Sequence, residues 1–305
     1  MTPFEQLRFE DVPELPVKAH AWAQTERRDV AIRTSELGDV RVAVHAYGPA
    51  SAPPLVLVHG LMTAGYSFRY LLPLLGDRYR LLIPDLPGAG ASACPDRDLG
   101  PDALARAIIA TLDALGARGA PVIGNSMGGY LCMRAALIDP AAIGRLVNLH
   151  SPGVPTARMH ALRWAMRVLP SRAIVDRLVR RDPERWVHRN VHYYDESLKS
   201  REEHREFAAP LRTPAGRAAF YRHLRDGLDA REMSRFNRAL AAAPFPIPLL
   251  LVYATHDPVV PPVVGRRLHA LVPAAQLVSL DRASHFAHVD AADRFVAAIT
   301  DFLRA

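Results

Sequence analysis

Cysteine is almost absent from this chain. Two residues, Cys94 and Cys132, are too few for a disulfide framework, and neither has metal-ligand spacing to a second cysteine. Cys132 falls in an apolar helical stretch and reads as a small core residue. Long hydrophobic runs are missing as well, since none approaches the roughly 18 residues of a membrane span. The first twenty residues mix acids, bases and prolines, without the basic-then-apolar form of a signal peptide. The expectation is a soluble, cytoplasmic protein. There is no H-E-x-x-H, no Walker loop and no Rossmann glycine fingerprint, so neither a metal nor a nucleotide cofactor is expected. Internal repeats and low-complexity tracts are also absent.

What is present suits a folded enzyme. Half of the 305 residues are hydrophobic and 23% are charged, enough for a sizeable core and too apolar for disorder. The length fits one large domain, or one domain carrying an insertion. The net charge of +7 is unevenly placed. Residues 153–243 hold 18 Arg and one Lys against 11 acids, a net +8, while the remainder carries −1. Such an excess suits an anionic ligand, nucleic acid or an anionic membrane surface, or simply the solvated basic faces of arginine-rich helices. Acids interleave the run and no nucleic-acid motif accompanies it, which favours solvated faces.

Residues 29–47 read as a hairpin about a Gly-Asp turn. Short runs rich in Leu, Val and Ile follow at 53–60, 79–90, 120–126, 144–151 and 247–257, with a weaker one at 275–285. Continuous apolar runs of this kind suit parallel strands covered on both faces. Helical patterns alternate with them. At 101–119, Leu104, Ile108, Leu112 and Leu115 form one stripe, with Pro101 near the start and Gly116 near the end. Residues 127–139 and the chain's last thirteen also read as helices. The alternation predicts an α/β fold with a mostly parallel sheet and helices on both faces. Residues 153–243 break the rhythm. They have no strand-like run, and helical stretches stand near 158–169, 171–181 and 215–228. They read as an all-helical insertion, with residues 1–152 and 244–305 as the core.

One short stretch carries the chemistry. In "PVIGNSMGGY" (121–130), Gly124, Ser126 and Gly128 make G-x-S-x-G between a strand and a helix. That is the context of a nucleophile elbow, where small residues let strand and helix approach while the serine hydroxyl stands above the strand ends. A helix N-terminus beside it favours developing negative charge.

A serine hydroxyl needs a base, and the base needs an orienting acid. His285 lies in the loop after the last strand-like run, where it can reach the carboxyl edge of the sheet. His288 is its local competitor, and as the second histidine of the loop it suits packing or hydrogen bonding of the next turn. Asp257 ends the run at 247–257 ahead of Pro258, although an Asx-turn or helix-capping role is the plainer alternative. Asp281, four residues before His285, is the other acid on offer. No carboxylate closes the run at 144–151. The order Ser126, Asp257, His285 is the order of an α/β-type triad. Oxyanion stabilisation calls for two backbone amides, expected from Met127 and Leu61. His59 and Gly60 are expected to shape the second loop, His59 through hydrogen bonds rather than as a base.

In order, "LVLVHGLMTAGYSFRYLLPLL", "LLIPDLPGAGAS", "GNSMGGY", "YATHDPVVP" and "ASHFAHVD" resemble the block motifs of the α/β-hydrolase superfamily. The resemblance covers roughly residues 29–152 and 244–305. It implies an α/β-hydrolase fold with an all-helical cap, or lid, inserted after the sixth strand. "GNSMGG" is similar to the elbows of hydrolases that cleave C–C bonds in dienoic diketones of aromatic degradation. Those relatives tend to have a glycine-rich oxyanion loop, whereas this chain has Leu61-Met62-Thr63. Ser126 argues against the dehalogenase and epoxide hydrolase branches, which use aspartate at the elbow. Ser284 stands where a glycine is usual.

The expected function is a cofactor-free serine hydrolase acting on a carboxylic ester or related acyl bond of a small, largely apolar molecule. A C–C bond hydrolase with the same triad is the first alternative, and a non-catalytic ligand-binding protein on this fold is the second. Met62, Phe68, Phe286 and Trp164 are the expected substrate contacts, with Met166, Trp186, Tyr193 and Tyr194 as further wall candidates in the cap. The expected partner is a small-molecule substrate. Nucleic acid and an integral membrane segment are not expected, and the sequence leaves room for a homodimer.

Overall fold

Each apolar run becomes a strand. The computed structural model describes residues 3–305. Its eight strands are β1 (Glu26–Thr34), β2 (Gly38–Tyr47), β3 (Pro54–Val58), β4 (Arg80–Pro84), β5 (Pro121–Asn125), β6 (Arg145–Leu149), β7 (Leu249–Ala254) and β8 (Gln276–Leu280). They form one sheet in the order β1-β2-β4-β3-β5-β6-β7-β8. β1 and β2 pair antiparallel, as do β2 and β4, and every other pairing is parallel.

Both faces of the sheet are covered, which is why its strands are apolar throughout. Val56, Val58, Val122, Leu146 and Leu251 point to one core, against helices α2 (Pro101–Ala114) and α3 (Met127–Ile138). The alternate residues Leu55, Leu57, Ile123, Val147 and Val252 point to the other. There they meet α11 (Ala287–Asp290), α12 (Ala292–Arg304) and the loop that carries the short α1 (Leu72–Leu75). β8 closes the sheet at an edge with Gln276 and Ser279 exposed, and this accounts for its weaker sequence signal.

The helix read at 101–119 ends sooner, at Ala114. Gly116 takes φ +63, Ala117 N–H donates to Leu112 O and Gly116 N–H donates to Asp113 O. This left-handed glycine closure stops the helix.

Between β6 and β7 lie α4 (Ala157–Val168), α5 (Ser171–Arg181), α6 (Pro183–Asn190), α7 (Arg201–Ala208), α8 (Pro214–Arg222) and α9 (Ala230–Ala242). A π-helical turn, His223–Gly227, extends α8. α10 (Pro262–Leu271) follows β7. α6, α7 and α9 did not stand out in sequence because their surfaces are mostly polar. The inserted helices bury Phe207, Leu211 and Phe220 on one side of the core, and Met233, Phe236 and Leu240 on the other. A segment ahead of β1 ties them down further. Arg201 N–H donates to Pro13 O, Glu202 N–H to Glu14 O, and the Gln6 amide to His188 O.

Candidate active site

The carboxyl ends of β3, β5, β6 and β7 converge on one spot. β5 runs straight into α3 through Ser126, whose backbone sits at φ 53, ψ −122. A non-glycine residue in that region is strained, and the strain is held by its surroundings. Ser126 N–H donates to Leu149 O at 2.7 Å, and Tyr130 N–H donates to Ser126 O at 3.1 Å. A Cβ at Gly124 would lie 2.6 Å from Gly129 Cα, and one at Gly128 would strike the carbonyls of Val58 and His59. Only glycine lets β5, α3 and β3 approach so closely. Gly60 packs against the serine in turn, with room for no Cβ, since one would lie 2.9 Å from Ser126 Cβ.

His59 is fully buried and hydrogen-bonded at both nitrogens. Its Nε2 accepts from Leu86 N–H at 3.0 Å, so Nδ1 carries the proton and donates to Gly60 O at 2.8 Å. Burial lowers its pKa and keeps it neutral. Thr63 Oγ1 donates to the same carbonyl at 3.2 Å. The loop that follows turns through Met62 at φ 63. Among the described residues, no acceptor engages the N–H of Leu61 or of Met127.

Asp257 follows β7 and His285 follows β8. Asp257 Oδ2 and His285 Nδ1 are 2.7 Å apart. The other carboxylate oxygen, Oδ1, accepts from Val259 N–H at 2.7 Å and Val260 N–H at 2.8 Å. One carboxylate oxygen thus serves the turn and the other meets the histidine. Burial alone would raise its pKa. The charge and hydrogen bond of His285, with help from His150 and Val260 N–H, outweigh burial and hold the carboxyl below its ordinary value. Asp281 faces elsewhere. It is exposed and accepts from Thr255 Oγ1 at 3.0 Å. His288 is buried beside Phe68, ring centroids 4.9 Å apart, and neither of its nitrogens has a hydrogen-bond partner among the described residues.

Sequence reasoning missed His150, which closes β6 where no carboxylate was found. It takes φ 54 and lies one strand over from Ser126. Its Nε2 accepts from Ala254 N–H at 2.7 Å, so Nδ1 carries the proton and donates to His285 O at 2.9 Å. Asn125 Nδ2 donates to the same carbonyl at 3.2 Å. Burial drives the His150 pKa down to about 4. The only sequence signal was a polar ring at a strand end. Ligand atoms of His150, Asp257 and His285 lie within 4.8 Å of one another. The two nitrogens of His150 and the two oxygens of Asp257 are already committed to hydrogen bonds, which makes them poor donors for a cation.

The loop carrying His285 is pinned from behind. Asp290 accepts from Ser284 N–H at 3.1 Å and Tyr194 N–H at 2.8 Å. Ser284 Oγ accepts from Phe286 N–H at 3.0 Å, a local turn that a glycine could not make. Phe286 stands edge-on to His285, ring centroids 5.3 Å apart, and packs against Tyr193 at 5.6 Å. Below them is a buried ion pair that the sequence did not announce. Arg69 donates to Glu203 Oε2 at 2.5 Å, and Tyr193 Oη donates to the same oxygen at 2.6 Å. The guanidinium lies over Tyr66 and Tyr70, 4.7 and 4.5 Å from their ring centres. This links the loop after β3 to α7 of the cap.

The expected substrate contacts divide. Met62 is half-buried in the loop beside Ser126, while Phe68 and Phe286 are buried around the histidines. Trp164 departs from the expectation. It is 65% exposed on α4 rather than set into a pocket wall. Its position on the solvent stripe of that helix puts it there.

Residues 53–292 match the family model for the alpha/beta hydrolase fold. The chain is 27% identical to the uncharacterized hydrolase YugF of Bacillus subtilis, over 90% of this chain and 98% of the relative. It is also 27% identical to 2-hydroxymuconate semialdehyde hydrolase of a Pseudomonas strain, over 87% and 90% of the two chains. Among solved structures, a variant of a meta-cleavage product hydrolase is similar at 25% identity and a TM-score of 0.67, covering 90% of this chain and 98% of that one.

Proposed function

We propose that this chain, which belongs to the alpha/beta hydrolase fold family, is a serine hydrolase acting through Ser126, His285 and Asp257 on a carboxylic ester or related acyl bond. One observation carries the reading. His285 Nδ1–H donates to Asp257 at 2.7 Å, which leaves Nε2 as the nitrogen that can act as base toward Ser126, a serine held in a strained elbow.

In this reading Ser126 Oγ attacks the acyl carbon while His285 Nε2 takes the hydroxyl proton. Asp257, below its ordinary pKa and so ionised, fixes the imidazole tautomer and stabilises the imidazolium. The N–H groups of Leu61 and Met127 receive the oxyanion, each contributing about 3 kcal/mol. His285 then protonates the leaving group. Water, deprotonated by the same nitrogen, attacks the acyl-serine and releases the acid. Met62, Phe68 and Phe286 provide apolar surroundings for the acyl part. No step calls on a cofactor.

The likeness to a 2-hydroxymuconate semialdehyde hydrolase and to a meta-cleavage product hydrolase favours a second reading, in which the leaving group is carbon. The 2-hydroxy enol would first ketonise, its proton moving to the carbon beside the remote ketone. The same serine would attack that ketone, and the departing carbon would leave as a conjugated enolate that takes the proton in place of an alcohol oxygen.

The test is labelling with a fluorophosphonate, mapped by mass spectrometry beside a Ser126→Ala control. Label confined to Ser126 and lost in the control is expected. An unlabelled native protein, with its fold intact by circular dichroism, would overturn the serine reading. Turnover of p-nitrophenyl esters against a 2-hydroxy-6-oxo-dienoate then separates ester from C–C cleavage.

A further inference from the structure

The cap carries a surface that the chemistry at Ser126 does not use. Ten large apolar side chains are notably exposed among the described residues, and six of them lie within residues 162–178: Leu162, Trp164, Val168, Leu169, Ile174 and Leu178. The spacing is regular. Trp164 and Val168 are one turn apart on α4, and Ile174 and Leu178 are one turn apart on α5. Clustered apolar exposure of this kind marks a contact surface.

The charge around it is as one-sided. Residues 157–181 contain seven Arg and a single Asp, with no Lys or Glu. Arg158, Arg172, Arg177 and Arg181 are exposed and have no carboxylate partner among the described residues. Elsewhere on the cap, arginines are largely neutralised, as in Arg185 with Glu10, Arg205 with Glu14, Arg222 with Asp96 and Arg225 with Asp98. Uncompensated charge and exposed apolar surface therefore coincide on one helical hairpin. A cleft of about 580 Å³ opens beside it, with Met166, Leu169, Arg172 and Tyr221 among its walls.

We propose that the α4–α5 hairpin docks the protein on an anionic lipid bilayer. The apolar stripe enters the interface between headgroups and acyl chains, while the arginine stems lie along it and their guanidinium groups pair with lipid phosphates. Nucleic acid would satisfy the arginines but leave the apolar stripe in water. A second copy would cover the stripe but set the unpaired Arg158, Arg172, Arg177 and Arg181 of two chains face to face. An anionic bilayer satisfies both halves of the surface. No helix among the described residues is long and apolar enough to cross a membrane.

The experiment is co-sedimentation of the full chain with extruded vesicles, either of equimolar phosphatidylglycerol and phosphatidylcholine or of phosphatidylcholine alone. Partition onto the anionic vesicles is expected to be at least about tenfold stronger, and to collapse in about 0.5 M NaCl. The variants Ile174→Ser/Leu178→Ser and Arg172→Gln/Arg177→Gln/Arg181→Gln should each weaken it about tenfold or more, with Tm and fluorophosphonate labelling of Ser126 unchanged. Equal partition onto both vesicles, no partition, or variants that bind like the parent chain would overturn the proposal. So would a dimer in sedimentation velocity that the Ile174→Ser/Leu178→Ser variant dissolves, because the occupant would then be a second copy. The readout is mass on a vesicle, so its failure is independent of any failure of the serine reading.

Discussion

The protonated Nδ1 of His150 donates to the backbone carbonyl of His285 across 2.9 Å, while its Nε2 takes Ala254 N–H at 2.7 Å. One neutral ring thus ties the end of β7 to the loop that carries the proposed base. It is a positioning contact, since it reaches the reaction only through His285. His150→Ala would leave a buried amide and weaken the hold on His285, costing about 1–3 kcal/mol of stability. The expected kinetic effect is a kcat lowered about ten- to a hundredfold with KM nearly unchanged. His150→Gln, which keeps a donor and an acceptor, should recover part of the loss. Equal kcat in native and Ala enzymes would show that Asn125, the other donor to His285 O, suffices alone.

Asp257 has two duties on two oxygens, and they can be separated. Asp257→Asn keeps an acceptor for Val259 and Val260 N–H, so the loop should hold and Tm should change little. It removes the negative charge that orients and stabilises His285, so kcat should fall by about 10⁴. Asp257→Ala removes both functions and should cost a further 1–2 kcal/mol or so in chemical denaturation. Two variants of equal stability would mean that the turn does not depend on the carboxylate.

These residues also show what the sequence could disclose. Strand positions were legible because burial on both faces makes their apolar runs continuous. The elbow was legible because its backbone approach demands glycines at fixed places. Asp257 and His285 stood out as polar groups directly after strands. His150 stood in the same kind of place, yet its role depends on a carbonyl 135 residues away, which no local pattern encodes. Arg69 and Glu203 are 134 residues apart and each looks like an ordinary surface charge. Trp164 was legible as a large aromatic residue, but not as an outward-facing one. Helix phase against a core not yet built decided its direction.

The Arg69–Glu203 pair is wholly buried, so removing one partner should do more harm than removing both. Arg69→Met leaves Glu203 uncompensated, and Glu203→Leu leaves Arg69 so. Each should cost about 3–5 kcal/mol, measured by urea unfolding. The double variant should recover much of that loss, giving a coupling well above that of an exposed pair. Additive losses would indicate that the tyrosines and water, rather than the opposite charge, satisfy each group.

Acid should loosen the fold before it protonates most carboxylates. His150 and His223 are buried, and burial lowers both from an ordinary 6.5 to about 4. A histidine with a depressed folded pKa takes up its proton more readily when unfolded. Its contribution is full above about 6.5 and is lost as pH falls toward about 4. His223 makes this loss concrete, because its Nε2 proton is held by Pro87 O at 2.8 Å and the ring has no room for a hydrated cation. Asp290 acts in the opposite sense. Burial lifts it from 3.8 to about 6, so it favours the folded state as pH falls through that range. His188 and His204, lowered by burial to about 4 and about 3, act in the same sense as His150 and His223, and together the histidines outweigh this one carboxyl. The urea midpoint should fall between pH 6.5 and 4, by an amount equivalent to a few kcal/mol. In His223→Gln, which keeps the hydrogen bond to Pro87 O without a titrating group, the fall should be shallower. A midpoint flat across this window, or the same slope in His223→Gln, would show that these rings do not control acid stability.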